Sequence, residues 1–184
     1  MPKLVILDRD GVINHDSDEF IKSPDEWKPI EGSLEAIARL NQAEYWVVII
    51  TNQSGLARGL FTLDDLNQIH QKMHNQLAEV NGRIEAIFFC PHSNKENCTC
   101  RKPRPGLFQD LANRLGTPLN NVLAVGDSLR DLQAANAVGA MPILVLTGKG
   151  QQTLHHIKEF DSKFNSVPVY KNLAAFVDEL LENR

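Results

Sequence analysis

Residues 3–13 read KLVILDRDGVI, four apolar residues in a row followed by Asp8, Arg9, Asp10 and Gly11. So short an apolar run, without polar alternation, suits a strand over residues 3–7 that is buried on both faces of a parallel sheet. Gly11 lets the chain turn sharply where the strand ends. Asp8 and Asp10 are two apart and project to the same side of an extended backbone, while Arg9 points elsewhere. Carboxylates held that close repel each other unless a cation lies between them. Hard oxygen ligands with open positions suit Mg²⁺, which completes its shell with water and phosphate oxygens.

Working outward, strand and helix patterns alternate to the end of the chain. Leu34, Ile37, Ala38 and Leu40 form a helical stripe within 32–41, and 46–50 is a β-branched and aromatic strand. Thr62 caps a helix with Asp64 and Asp65 in its first turn, where the helix dipole favours negative charge. That helix runs to about Val80 and stops at Asn81-Gly82. A strand is expected over 84–89, a helix over 106–115 ending at Gly116, a strand over 122–125 and a helix over 129–138. A strand at 142–146 follows, then an irregular surface excursion over 148–166 with one turn of helix at most. An edge strand (167–170) and a helix (173–181) close the chain. This order predicts an α/β fold, a Rossmann-like doubly wound parallel sheet. At 184 residues without repeats or linkers, it forms one domain over 1–184. Ligands in such sheets bind beyond the carboxyl ends of the strands. Three strands end in polar clusters there: Asp8-Arg9-Asp10-Gly11, Thr51-Asn52-Gln53-Ser54-Gly55 and Gly126-Asp127-Ser128.

The formal charge of −4 argues against a nucleic-acid partner, which would call for a basic excess. No apolar run is long enough to span a bilayer, so no membrane is expected. The N-terminus lacks the apolar region and cleavage site of a secretory signal, which points to the cytoplasm. The chain is expected to act as a monomer. All three cysteines, Cys90, Cys98 and Cys100, fall within eleven residues and are joined there by His92. An odd, clustered set argues against a disulfide framework. Cys₃His is a full tetrahedral donor set with no position left for catalysis, so a structural Zn²⁺ is expected. The loop has no apolar residue between Pro91 and Cys100 to fold around, and it must hold Arg101 and Lys102 in place.

Together these residues resemble the haloacid dehalogenase superfamily. Its Asp-x-Asp is matched by Asp8-Arg9-Asp10, its Ser or Thr by Thr51, its Lys by Lys102, and its acidic motif by Gly126-Asp127-Ser128-Leu129-Arg130-Asp131. The resemblance implies that Asp8 is the nucleophile, forming an aspartyl-phosphate. Asp10 is then the general acid and base, and its main-chain carbonyl joins Asp8 and Asp127 around Mg²⁺. Thr51 and Lys102 donate to the phosphoryl oxygens. Asp131 is a supporting carboxylate that orients Lys102 or a metal-bound water. Sequence alone cannot assign nucleophile and acid between Asp8 and Asp10.

The combination Cys-Pro-His … Cys-x-Cys-Arg-Lys-Pro-x-Pro-Gly with Thr-Asn-Gln-Ser-Gly is similar to the branch that holds heptose 1,7-bisphosphate 7-phosphatases and histidinol-phosphate phosphatases. It implies a phosphorylated sugar substrate, a step toward nucleotide-activated heptose for lipopolysaccharide. Asn52, Gln53 and Ser54 then lie in the pocket, and Arg101 reaches a second phosphate or a sugar hydroxyl. Asp16 and Glu19 match a substrate-contacting loop by position, and Ser128 stands where some heptose enzymes carry Lys. No cap domain can be accommodated, because the stretch from Thr51 to Lys102 is filled by a helix, a strand and the zinc loop.

Histidinol phosphate is the competing substrate, and a pocket carboxylate facing its amine would favour it. A 3′-phosphatase of polynucleotide ends fits the acidic balance poorly. From another class, a phospho-receiver module would share the aspartyl-phosphate but lack the zinc loop and Asp10. A purely structural zinc module leaves the three strand ends unexplained. His15, His70, His74, His155 and His156 have no metal-ligand spacing, with His70 and His74 on a polar helix face. Gly148-Lys149-Gly150 lacks the rest of a P-loop. Arg101, Lys102 and Arg104 read as an anion-recognition cluster.

Overall fold

A computed structural model of the chain describes residues 3–182. Among these residues, six parallel strands lie in the order β3-β2-β1-β4-β5-β6. They are β1 (Lys3–Leu7), β2 (Tyr45–Asn52), β3 (Ala86–Cys90), β4 (Leu123–Gly126), β5 (Met141–Val145) and β6 (Val169–Tyr170). The helices between them are α1 (Ser33–Gln42), α2 (Leu63–Glu79), α3 (Gly106–Leu115), α4 (Leu129–Asn136), α5 (Gly150–Phe160) and α6 (Leu173–Glu182). Strand order reverses between β1 and β4, which makes the carboxyl ends of these two strands the topological switch point.

Alternation along each strand divides the core into two layers. Val5, Leu7, Val47 and Ile49 pack with Ile37, Met73 and Phe176 from α1, α2 and α6. Ile6, Val48 and Ile50 face the other way, against Leu107, Phe108 and Leu111 of α3 and Ala134 and Ala135 of α4. The strands are thus covered on both faces, as their unbroken apolar runs require. Helix α2 begins at a reciprocal cap: Asp65 N–H donates to Thr62 Oγ1 (3.1 Å) and Thr62 N–H to Asp65 Oδ2 (2.7 Å).

The expected elements are present, with ends shifted by a residue or two. The exception is 148–166, where a helix of three turns, α5, replaces the irregular excursion, followed by a 3₁₀ turn at Ser162–Phe164. Gly150, Thr153 and Ile157 are its buried residues. That stripe contains only one large apolar side chain, too thin a periodicity to stand out from the polar residues around it. His70 also departs from expectation. It is buried on the inner side of α2, not displayed on a polar face.

Candidate active site

The rim at the switch point is built by close backbone approach. Asp8 N–H donates to Val125 O at 2.9 Å, joining the end of β1 to β4. Asp127 follows β4 and is clamped by Gly11 and Gly148, both with positive φ. A Cβ on either would lie 2.1 Å from Asp127 Oδ2, so only glycine permits this approach. Lys149 N–H donates to the same oxygen at 2.7 Å, and the Thr153 hydroxyl donates to Asp127 O at 2.8 Å. Helix α5 therefore helps to fix an acidic group of the rim.

Asp8, Asp127 and Asp131 each bring a carboxylate oxygen within 4.8 Å of the others. Burial, opposed in part by Lys102, raises Asp8 to about 7, with Asp131 and Asp10 adding to the rise. Burial, then Asp131 and Asp8, raise Asp127 to about 8. Acids so crowded stay ionised at neutral pH only if a cation joins them, and an all-oxygen donor set of this kind suits Mg²⁺.

Among the described residues, Lys102 is the one cation buried among these acids. Its Nζ lies 2.6 Å from Asp131 Oδ1 and 3.1 Å from Asp8 Oδ1, and it donates to Ile50 O at 2.8 Å. Burial alone would lower its pKa, but Asp131 and Asp8 outweigh burial and raise it. Conversely, Lys102 and Ser128 hold Asp131 below the usual carboxylate range despite its burial. Ser128 precedes α4 and gives Asp131 Oδ2 both its N–H (3.0 Å) and its hydroxyl (2.7 Å). Asn52 brackets the Lys102 backbone, accepting from its N–H and donating to its O, both at 3.1 Å. Asn52 and Ser128, expected as substrate contacts, thus line the cleft while fixing Lys102 and Asp131.

Arg9, expected to point away from the carboxylates, instead folds back on Asp10 and is wholly buried. Its Nε and Nη2 donate to Asp10 Oδ1 at 3.2 and 2.9 Å, and Nη2 lies 3.1 Å from Oδ2. Asn14 Nδ2 adds a bond to Oδ1 (2.9 Å) and Gln53 Nε2 one to Oδ2 (3.0 Å). Burial works against the Asp10 charge, but Arg9, Asn14 and Gln53 together pull its pKa below the ordinary value. Gln53 Nε2 also donates to Thr51 Oγ1 at 3.0 Å, which leaves the Thr51 proton free for a ligand. His70 Nε2 sits 3.2 Å from Arg9 Nη1. Burial, then Arg9 and His74, lower its pKa to about 3.

These groups open into a cleft of about 250 Å³. Asp8, Asp10, Thr51, Lys102 and Asp127 line it, together with Gln53 and Ser54. Asp16 lines the mouth, where Lys149 Nζ approaches it at 3.5 Å and Asp18 at 3.9 Å. Glu19 is exposed and outside the lining, because Phe20 turns inward in its place. The lining also includes Arg58, Arg101 and Arg130. Burial, Arg130 and Arg58 all push the Arg101 pKa down. Arg58 and Arg130 were not anticipated, since an arginine in a loop or a first helical turn looks like ordinary surface. The one available signal was that each sits close in sequence to a rim motif. Arg104 does not join this lining. Its guanidinium donates to Cys98 O and Asn97 Oδ1 and so braces the cysteine loop.

In that loop the three thiols are unbridged. Cys90 Sγ lies 3.6 Å from Cys98 Sγ and 3.1 Å from Cys100 Sγ, and His92 Nδ1 lies 3.6 and 3.3 Å from Cys90 and Cys100. A tetrahedron with Zn–S of about 2.3 Å and Zn–N of about 2.0–2.1 Å has edges of roughly 3.5–3.8 Å, close to these separations. The four groups can hold one such ion.

Comparison with known proteins agrees with this geometry. A family model described as HAD-hydrolase-like matches residues 99–175. A D-glycero-beta-D-manno-heptose-1,7-bisphosphate 7-phosphatase of Bordetella bronchiseptica is 54% identical over 180 residues, covering 98% of each chain. The enzyme of that name from Pseudomonas putida is 46% identical over 183 residues, 97% of this chain and 99% of the other. A crystal structure of the B. bronchiseptica D,D-heptose 1,7-bisphosphate phosphatase with magnesium and phosphate superposes with a TM-score of 0.94 over 99% of both chains.

Proposed function

The chain belongs to the haloacid dehalogenase-like hydrolases, in the family of the D-glycero-beta-D-manno-heptose-1,7-bisphosphate 7-phosphatases, and from that membership we propose that it is a magnesium-dependent phosphatase releasing the 7-phosphate of D-glycero-D-manno-heptose 1,7-bisphosphate. The observation that carries this reading is a cleft lined by two sets of groups: Asp8, Lys102 and Asp127, and the mutually close arginines Arg58, Arg101 and Arg130. A substrate with a phosphate at each end satisfies both.

Asp8 and Asp127, with the main-chain carbonyl of Asp10, would hold Mg²⁺, which neutralises charge on the phosphoryl oxygens when bound. Asp8 Oδ1 already accepts from Arg9 N–H (2.7 Å) and lies 3.1 Å from Lys102. Asp8 attacks phosphorus in line, and the bond from phosphorus to the sugar oxygen breaks as Asp10 gives that oxygen a proton. Water then attacks the aspartyl-phosphate, Asp10 takes a proton from it, and inorganic phosphate leaves with Asp8 restored. Thr51 and Lys102 donate to the equatorial oxygens throughout. The Cys₃His loop would hold Zn²⁺, which would fix the backbone that presents Arg101 and Lys102. Unbridged thiols support a reducing compartment, the cytoplasm.

Histidinol phosphate is the weaker reading. The carboxylates able to meet its amine, Asp16 and Asp18, are turned to Lys149, and Arg58, Arg101 and Arg130 add three cations to the lining. Phosphate release from heptose bisphosphate, histidinol phosphate and a set of sugar monophosphates tests the proposal. Heptose bisphosphate should give the highest kcat/KM, and Asp8→Asn should abolish turnover. A preference for histidinol phosphate would reverse the substrate assignment, and activity of Asp8→Asn within about tenfold of the parent would remove the nucleophile.

A further inference from the structure

Arg9 has no accessible surface and does not line the cleft, so it is not there to bind phosphate. Enclosing a guanidinium is costly unless its charge and donors are met. Here they are met by Asp10, Gln53 Oε1 at 3.4 Å and His70 Nε2. A guanidinium only donates, so His70 Nε2 must accept, with the ring proton on Nδ1. His70 thus meets the part of Arg9 that Asp10 does not. The Asp10 carboxylate is the exposed end of this otherwise enclosed chain, with 21% of its side chain accessible.

We propose that Arg9 and His70 are positioning residues for Asp10: Arg9 fixes the plane of the carboxylate through its two-nitrogen fork, and His70 fixes Arg9 from helix α2. The proposal rests on the reading of Asp10 as acid and base. Paired donors give an arginine–carboxylate contact directional specificity that one bond lacks. An acid must come within about 2.6–3.2 Å of the leaving oxygen, and a misplacement of about 1 Å can cost on the order of a hundredfold. Contacts to Asp10 also separate its two oxygens. Oδ1 accepts from Arg9 Nε, Arg9 Nη2 and Asn14, whereas Oδ2 has only Nη2 and Gln53. Oδ2 is therefore the less heavily bonded oxygen, the one that gives up fewer contacts to carry the proton.

The test compares His70→Leu with His70→Gln, whose side-chain carbonyl can still accept from Arg9. Both are assayed with added Mg²⁺ on heptose bisphosphate and on p-nitrophenyl phosphate, whose leaving group needs no acid. His70→Leu should lower kcat on the sugar phosphate about tenfold, with KM moving less than about twofold. A rapid-mixing burst of p-nitrophenol should persist and be followed by slow hydrolysis of the intermediate. His70→Gln should recover most of the loss. Equal loss in the burst and on the sugar, loss carried by KM, no loss, or no recovery with Gln would each overturn the proposal. Asp10→Asn in the same series separates the two ideas. If it lacks the leaving-group pattern, the acid–base reading fails; if it alone shows the pattern, only the positioning role fails. Should His70→Leu not fold, Arg9→Lys keeps a charge beside Asp10 but cannot reach Asp10 and His70 together, and should give the same pattern. If neither folds, the pair is a folding element and the proposal falls.

Discussion

Lys102 Nζ lies 2.6 Å from Asp131 Oδ1, closer than its 3.1 Å approach to Asp8. The ammonium facing the proposed nucleophile is therefore held by the first turn of α4, where Ser128 fixes Asp131 in turn. The sequence motif joins Asp127 to Asp131, and their contacts differ: Asp127 is clamped by Gly11, Gly148 and Lys149 N–H, whereas Asp131 secures the lysine.

Asp131→Asn should lower both kcat and stability. Removing one charge of a buried pair costs up to about 3–5 kcal/mol, and the remaining contact of Lys102 with Asp8 should keep the loss below that. Loss of a preorganised donor to the transferring group costs about 10²–10³ in kcat. Ser128→Ala removes one of two bonds to the same carboxylate, with an expected cost of about 0.5–2 kcal/mol and a smaller effect on rate. Urea denaturation and steady-state kinetics on both variants check this. Full activity in Asp131→Asn would reduce Asp131 to a helix cap.

Magnesium binding should be linked to pH. Asp8 and Asp127 stand at about 7 and about 8, against an ordinary 3.8. Between those values these two groups hold more protons in the folded protein than in the unfolded chain, so their contribution to metal-free stability falls as pH rises toward 8. His70, lowered to about 3, works against them only up to its ordinary 6.5. Asp10 and Asp131 are shifted downward, and their contribution is lost only in acid, outside this window. Mg²⁺ binds the ionised carboxylates and offsets the loss at higher pH. Its increment in Tm should thus be greater at pH 8 than at pH 6, by at least about 2 °C. Calorimetry in magnesium-free buffer without chelator, then with Mg²⁺ added, gives the comparison. Equal increments would mean that the acids are ionised without metal.

The cysteine loop should contain about one zinc per chain, as a closed Cys₃His set implies. Cys98→Ser should release that metal and lower kcat even in excess Mg²⁺, because metal binding at such sites is coupled to local folding. Metal analysis of protein purified without chelator checks the first statement. A zinc-free preparation with full activity would contradict both.

Residues set by local rules were legible in the sequence. Asp8, Thr51 and Asp127 follow from strand ends that must meet at one rim of a parallel sheet, and the capped start of α2 follows from Thr62 and its acidic first turn. What stayed hidden depends on distant partners. His70 reads as polar helix surface because Arg9, 61 positions away in sequence, is what draws it inward. Arg9 reads as the outward member of an alternating strand, yet the strand ends at Leu7 and alternation no longer applies. Helix α5 is anchored partly by a hydroxyl, Thr153 on Asp127 O, which no apolar periodicity records. Glu19 was matched by position in a loop where a positive φ at Phe20 redirects the chain.

Arg58, Arg101 and Arg130 all line the cleft, close enough for their charges to be felt by one another. Arg101 and Lys102 are neighbours whose side chains part, Lys102 into the acid cluster and Arg101 toward Arg130 and Arg58. Three like charges so placed repel until an anion joins them, and a guanidinium can grip two phosphate oxygens at once. Arg101→Ala should therefore penalise heptose bisphosphate far more than a sugar monophosphate. One lost charge-assisted contact costs about 1.5–3 kcal/mol, or roughly ten- to a hundredfold in kcat/KM. Arg130→Ala should act in the same direction, and the double variant should lose less than the sum, because both residues serve one phosphate. Steady-state kinetics on both substrates with all three variants decide the matter. Equal penalties for mono- and bisphosphate would mean that Arg101 serves the reacting phosphoryl group or the loop, and the three arginines would lose their role in substrate choice.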